Sequence, residues 1–160
     1  MTPSARVQAA IDILDAVVVA ARGQGDSADR IAADWFRARR FVGSKDRRAI
    51  RDLAWNAIRV CGDVPMNGRA AMLRLAQGDA ALPALFDGSN YGPAPIAPDE
   101  PIAESGVAPA WLIDQMAASG LDAAEQAALL GRAPLDLRAK TKIEFPLCQS
   151  GWLTTSCISE

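Results

Sequence analysis

The sequence predicts an all-α fold, and three observations lead to that prediction. Apolar residues near the N-terminus recur at the i, i+3, i+4, i+7 spacing of one helix face. Glycines and cap-forming residues divide the chain into segments of helix length. The hydrophobic share of 50% and charged share of 22% over 160 residues are those of one globular domain rather than of a disordered chain.

Three longer helices are predicted in the first third of the chain. The first is capped by Ser4 and ends at Gly23 and Gly25. Its apolar face consists of Val7, Ala10, Ile11, Leu14, Val18 and Ala21. The second starts near Asp26 or Ser27 and carries Ile31, Trp35 and Phe36. The third takes Ser44 as its N-cap and ends before Gly62.

The remaining chain divides into shorter pieces. Helices are predicted over 69–77 and 79–86, although Pro83 weakens the latter. Five prolines and three glycines in 87–109 predict a linker or an extended surface loop. Helices over 110–119 and 123–130 and a short strand over 135–138 follow. We therefore expect a helical bundle over 4–86, a linker over 87–109, a small helical piece over 110–138 and an atypical tail over 139–160.

Several classes of function are excluded or disfavoured by composition. The chain has no histidine, which removes Ser-His-Asp and Cys-His catalysis and His-ligated metals. Its three cysteines, Cys61, Cys148 and Cys157, are one ligand short of a tetrahedral zinc site, so we expect no metal and reduced thiols. The longest apolar run covers only residues 16–21, so we expect no membrane span and a cytoplasmic protein. No catalytic residues and no glycine-rich cofactor loop are predicted.

The main chemical signal is an uneven distribution of charge. Residues 37–59 carry eight basic and two acidic side chains, a net charge of +6, while the rest of the chain carries −8. On a helical wheel the third helix places Ile50, Leu53, Ala54, Ala57 and Cys61 on one side. Arg48, Arg51, Trp55 and Arg59 fall on the opposite side. This stripe is predicted to face outward.

An arginine stripe with an interleaved tryptophan suits RNA. Guanidinium groups bind phosphates bidentately, and an exposed indole stacks on unpaired bases. A solvated charged face and a surface for a protein partner are the two alternatives that the pattern leaves open. The candidate RNA-binding residues are Arg39, Arg40, Lys45, Arg47, Arg48, Arg51, Trp55 and Arg59. Trp55 is expected to stack on a base or, failing that, to pack in the protein.

Three stretches of the chain resemble a known family. Residues 43–53 (GSKDRRAIRDL) resemble the basic helix of a NusB-like domain. Residues 68–73 with 85–88, and residues 107–112 with 133–138, agree with the same family in order and spacing. Over about residues 4–138 the chain resembles the N-terminal domain of the Sun/Fmu (RsmB) family of rRNA cytosine 5-methyltransferases.

The resemblance implies an all-helical, NusB-like module that recognises RNA, with rRNA as the expected partner. In that family the module is joined to a catalytic domain that uses S-adenosylmethionine. Here the chain ends 22 residues after Arg138 and departs from the family pattern, so we expect a truncated or frameshifted form that is inactive by itself and binds no cofactor. The alternative is a NusB-type transcription antitermination module that binds a protein partner through its helical bundle.

Overall fold

The computed structural model describes residues 1–23 and 25–129, which form α-helices joined by loops. The α-helices in this part of the chain are α1 (Pro3–Arg22), α2 (Ala28–Ala38), α3 (Ser44–Arg59), α4 (Gly68–Ala76), α5 (Ala110–Ala118) and α6 (Ala123–Leu129). A short 3-10 helix spans Pro83–Leu85. No strand occurs among these residues, so the all-α prediction is confirmed for them.

Helix α1 lies at the centre of the bundle. It contacts α2, α3, α4 and the 3-10 helix. Val7, Ile13 and Leu14 are completely buried, which shows that more than one narrow stripe of α1 is covered by neighbours. The predicted apolar face is buried except for Ala21, which is exposed in the last turn. Ile50 of α3 and Met72 of α4 complete the core beside α1.

The two predicted caps are wrong by one or two positions. Thr2, rather than Ser4, caps α1, and its hydroxyl accepts a hydrogen bond of 3.2 Å from the Ala5 N–H. Pro3 takes the first helical position, where its missing N–H costs nothing. Gly43 is the N-cap of α3, and Ser44 is the first helical residue. The local signal was a cap-forming residue, which does not distinguish the cap from the first turn.

The helix predicted over 79–86 is absent. Only Pro83–Leu85 form a single 3-10 turn. The side chains of Leu82 and Phe86 are buried on either side of this turn. The fixed φ of Pro83 suits the start of a turn. Because proline has no N–H, it cannot make the i→i−4 hydrogen bond that an α-helix continuing through this position would need. The segment therefore anchors itself by two apolar side chains rather than by helical hydrogen bonds.

Residues 87–109 form an extended loop that is held against the bundle. The Ala103 N–H donates to the Ala70 carbonyl at 3.2 Å, and the Gly62 N–H donates to the Glu104 carbonyl at 3.0 Å. Cys61 and Ser105 form an isolated antiparallel bridge. Arg69 of α4 forms an ion pair with Glu100 and also donates to the Ala94 carbonyl. The loop is thus a fixed part of the bundle surface.

The last two helices are largely exposed. Helices α5 and α6 contact each other, and α5 has no buried residue. The strand predicted over 135–138 and the tail over 139–160 lie outside the described residues. Within the described ranges, no helix has the length and apolar character needed to cross a lipid bilayer.

Candidate nucleic-acid interface

An open groove of about 590 Å³ lies between α2 and the first half of α3. We call it the arginine groove, and its lining residues are Ala33, Phe36, Arg37, Ser44, Arg47, Arg48, Arg51 and Asp52. Four of these eight side chains are arginines. Each helix contributes residues three or four positions apart, which is the spacing that places side chains on one helix face.

Phe36 lies beneath two of the guanidinium groups. The Cζ atoms of Arg47 and Arg51 are 5.8 and 5.5 Å from the centre of its ring. Phe36 is itself buried in the core, so the ring is a rigid support. Cations at this distance from an aromatic face are attracted to it. The two arginines are thereby positioned beside each other although they carry the same charge.

Arg47 is fixed further by the backbone. Its Nε donates a hydrogen bond of 2.8 Å to the Val42 carbonyl in the loop between α2 and α3. This bond uses one of the five donors of the guanidinium, and four remain for other partners. A side chain that is already ordered loses less conformational entropy when it binds a ligand.

The carboxylate of Asp46, in the first turn of α3, is neutralised by α1 and the N-terminus. Its Oδ1 accepts from Arg6 Nε at 2.7 Å, and its Oδ2 accepts from the Met1 ammonium at 3.1 Å. The hydrogen bond from the N-terminus, followed by the one from Arg6, lowers the pKa of Asp46 below its ordinary value. Asp46 thus has two cationic partners outside the groove.

The groove arginines keep their positive charge available. Arg47, Arg48 and Arg51 form no ion pair with a carboxylate in the described part of the chain. Arg37 pairs with Asp34 of its own helix, and Asp52 is the acidic residue in the lining. The N-terminal end of α3 adds the partial positive charge of a helix terminus beside Ser44. The groove is therefore suited to an anion that carries several negative charges.

The predicted RNA-binding residues do not all meet at this site. Arg47, Arg48 and Arg51 line the arginine groove. Arg39 lies over the ring of Trp35 in a different cavity. Arg40 and Lys45 are exposed and line neither cavity, although each is next in sequence to a lining residue, Phe41 or Ser44. They can extend the positive surface but are not part of the groove.

Arg59 and Trp55 lie farther along α3. Arg59 is eight residues beyond Arg51, about 12 Å along the helix axis, and its guanidinium donates to Asn56 Oδ1 at 3.2 Å. The expected outward position of Trp55 differs from the structure, because its side chain is only partly exposed and packs against the core. Helix α3 contacts both α1 and α4, so its buried sector is wider than the apolar stripe on the wheel.

Sequence reasoning missed the α2 side of the groove. Phe36 was predicted only to lie on the second helix, and Arg37 and Ala33 were not candidates. Ser44 was expected only as a cap, yet it lines the groove. One signal was available in the sequence. Ala33, Phe36 and Arg37 are spaced i, i+3, i+4 and so share one face of α2, as the groove arginines share one face of α3. That signal becomes meaningful only when the two helices are known to be neighbours.

Other reactive groups in the described residues are isolated. Burial raises the pKa of the Cys61 thiol, although the charge of Arg74 opposes this change. Its Sγ contacts the Ala57 carbonyl at 3.1 Å, as expected of a protonated thiol. No group of three or more Cys, Asp or Glu residues that could hold a metal is found in the described ranges. These ranges also contain no strand that leads into a glycine-rich loop.

Comparisons with protein-family models, curated proteins and solved structures gave no match to this chain. The class defined by the fold and the site is an all-α bundle with an arginine-lined groove.

Proposed function

We propose that this protein binds RNA, with the phosphates lying in the arginine groove. The single observation that carries the proposal is the convergence of Arg47, Arg48 and Arg51 at a groove whose aromatic base already positions two of them. Guanidinium groups present paired donors that match phosphate oxygens. A row of such groups along a helix fits the repeated charges of a nucleic-acid backbone better than it fits a single small anion.

The arrangement also argues for binding rather than for a solvated face. Arginines on a solvated face often pair with a nearby acid, as Arg30 does with Asp26, which lies just before α2 begins. In the groove, Arg48 and Arg51 have no such partner among the described residues. Like charges held close together are unfavourable in the free protein, and phosphates would relieve the repulsion. This is the physical reason for expecting a polyanionic ligand.

The family resemblance narrows the proposal to rRNA. We propose that residues 4–86 are a NusB-like recognition module of the kind found in S-adenosylmethionine-dependent rRNA cytosine 5-methyltransferases. The support is the agreement of residues 43–53 with the basic helix of that family, and this segment contains Arg47, Arg48 and Arg51 of the groove. The proposal assigns recognition, not methyl transfer, to the described helices.

Salt-dependent binding of a short single-stranded RNA tests the proposal. The dissociation constant is measured by fluorescence anisotropy from about 50 to about 200 mM salt. Each arginine that neutralises one phosphate contributes about −0.7 to the slope of log K against log salt, so the three groove arginines contribute about −2 together. The Arg48→Ala/Arg51→Ala variant is expected to bind more weakly and to lose about 1.4 of that slope.

The matched control is Arg22→Ala/Arg30→Ala, which removes the same charge away from the groove. Arg22 donates to the Pro65 carbonyl, and Arg30 is exposed on α2. Equal effects of the two double variants would show a non-specific charge effect and contradict the groove as the binding site. A flat salt response of the unmodified protein would contradict RNA binding altogether. Capture of a protein partner that survives nuclease treatment, without RNA binding, would favour the antitermination-type module instead.

A further inference from the structure

A second cavity of about 790 Å³ lies between α1, the end of α2 and the loop at residues 90–92. We call it the aromatic cleft. The side chains of Trp35, Arg39, Phe41, Asn90 and Tyr91 line it together with the first three turns of α1. The arginine groove does not include any of these five residues. The aromatic cleft is therefore a separate cavity from the arginine groove.

Two of the three aromatic residues of the cleft are unusually exposed. Phe41 and Tyr91 are 78% and 74% exposed, although both have large apolar rings. The guanidinium carbon of Arg39 lies over the Trp35 ring, 4.1 Å from its centre, which places a cation on an aromatic support. Exposed rings and stacked guanidinium groups are the surfaces on which unpaired bases stack.

We propose that the aromatic cleft holds unpaired bases of the same RNA strand whose phosphates lie in the arginine groove. This inference rests on the proposed function and adds to it the class of RNA, which is single-stranded rather than duplex. Phe41 and Tyr91 provide the stacking surfaces, and Arg39 on Trp35 provides a third. The Asn90 amide offers both a donor and an acceptor to the edge of a base.

The two cavities are close enough in the chain to share one strand. Phe41 of the cleft and Ser44 of the groove are three residues apart, a separation of at most about 11 Å. The exposed cations Arg40 and Lys45 lie on either side of this short connection. A strand that crosses from the cleft to the groove would therefore pass beside further positive charge. This continuity of aromatic and basic residues favours a nucleic-acid strand over an apolar peptide.

Charged and polar groups in the cleft support the same choice. Arg39, Asp12 and Gln8 lie in its lining beside the rings. Gln8 Nε2 donates to Asp12 Oδ1 at 2.8 Å, but a hydrophobic peptide segment would cover the Arg39 guanidinium and the Asp12 carboxylate without offering them a polar partner, which is unfavourable. A base has a flat face that stacks on the rings of the cleft, and its edge carries donors and acceptors for the polar side chains. Asp12 can accept a hydrogen bond from the exocyclic amine of a base.

The experiment compares single-stranded RNA with a duplex of the same sequence. Phe41→Ala and Tyr91→Ala are each expected to weaken single-strand affinity by about 5-fold to 150-fold, the range expected for the loss of one base stack. Their salt slope is expected to stay that of the unmodified protein, because no phosphate contact is removed. Tyr91→Phe keeps the ring and is expected to keep the affinity. Both residues are exposed, so the variants are expected to keep their helical circular dichroism.

A second readout reports stacking directly. RNA that contains 2-aminopurine is expected to lose fluorescence on binding to the unmodified protein. The Phe41→Ala/Tyr91→Ala variant, at saturating protein, is expected to leave that fluorescence unchanged. The control is Trp111→Ala, which removes a ring on α5 that is 63% exposed and lies outside the cleft. This control is expected to retain both affinity and quenching.

The outcomes separate the two proposals. Normal single-strand affinity and quenching in the Phe41 and Tyr91 variants, with weaker binding by Arg48→Ala/Arg51→Ala, would overturn the aromatic cleft and leave the groove standing. Equal affinity of the unmodified protein for duplex and single strand would also overturn the cleft. Absence of any salt-dependent RNA binding would overturn both.

Discussion

The Ser4 hydroxyl donates a hydrogen bond of 2.6 Å to Asp87 Oδ2 and so joins the first turn of α1 to the loop that follows the 3-10 helix. The other carboxylate oxygen accepts from the Ser89 N–H at 2.9 Å. The bond from Ser4, followed by those from Ser89, lowers the pKa of Asp87 to about 2. Ser4, which was expected to cap α1, instead connects the two ends of the bundle.

Removing this hydroxyl is expected to change the titration of Asp87. In Ser4→Ala the pKa of Asp87 should rise from about 2 toward its ordinary value of 3.8. Because the folded-state pKa is lowered, the stabilising contribution is present above the ordinary value and is lost as pH falls through about 2. The measurement is an NMR titration of the carboxyl carbon, with chemical unfolding at several pH values. The control is Ser119→Ala, because the Ser119 hydroxyl donates to the Gln115 carbonyl, away from Asp87. An unchanged titration of Asp87 in Ser4→Ala would contradict the assignment of the lowered pKa to the bond from Ser4.

Gly68 is expected to tolerate no side chain. It begins α4 against the backbone of α1, and its N–H donates to Asp15 Oδ1 at 2.6 Å. A Cβ at this position would lie 2.5 Å from the Ile11 carbonyl oxygen, and backbone atoms cannot move aside cheaply. Gly68→Ala is expected to lower the free energy of unfolding by about 3 kcal/mol, the upper part of the range for overpacking. Urea denaturation measures this change.

The matched control is Gly78→Ala in the turn after α4. There the nearest atom to a new Cβ is the Leu75 carbonyl oxygen at 3.6 Å, an ordinary contact. This variant is expected to leave the free energy of unfolding within about 1 kcal/mol of the unmodified protein. Similar losses in the two variants would show that the close approach of α1 and α4 is not what restricts Gly68.

Arg69 is expected to hold the proline-rich loop. It pairs with Glu100, donates to the Pro95 carbonyl at 3.2 Å, and lies over the Phe86 ring at 5.1 Å. The Arg69→Leu variant loses the ion pair with Glu100 and the bonds to the loop carbonyls at a partly exposed site. We expect its free energy of unfolding to fall by about 1 to 2 kcal/mol. Hydrogen exchange is expected to become faster at the Ala97 and Glu100 amides.

The same pair predicts a dependence on pH. The bond from Arg69 lowers the pKa of Glu100 below its ordinary value of 4.5. Its stabilising contribution is therefore present above that value and declines at lower pH. Glu100→Gln should reproduce most of the loss at neutral pH, whereas Glu104→Gln, at an exposed position, should not. Equal stability of Arg69→Leu and the unmodified protein would contradict the role of Arg69.

Local periodicity predicted the helices well because helical spacing is a property of neighbouring residues. The burial of Ile50, Ala54 and Ala57 on one face of α3 follows directly from it. The position of Trp55 did not follow, because a wheel assigns one side to solvent while α3 has neighbours on two sides. The hydrogen bonds that hold residues 87–109 depend on partners in α1, in α4 and at Gly62, and they were not visible in composition. Prolines indicated an irregular backbone but not where that backbone lies.

The candidate site was predictable only in part for the same reason. Charge alone made Arg47 a candidate, and charge together with helical spacing made Arg48 and Arg51 candidates, from α3 alone. The ring of Phe36 and the groove itself require α2 beside α3, which is a tertiary relationship. Arg39 was correctly noted as part of the basic segment, yet the structure places it in the aromatic cleft.

The central position of α1 has a consequence for biosynthesis. This helix leaves the ribosome before α4, yet it packs against α4 and is tied to Asp87, which is 83 residues beyond Ser4. At about 5–20 residues per second, that distance takes about 4 to 17 s to translate. During this interval the apolar side chains of Val7, Ile13 and Leu14 lack part of their final cover. Closure of the nascent bundle is therefore timed by the arrival of the loop around Asp87 rather than by the formation of its first helix.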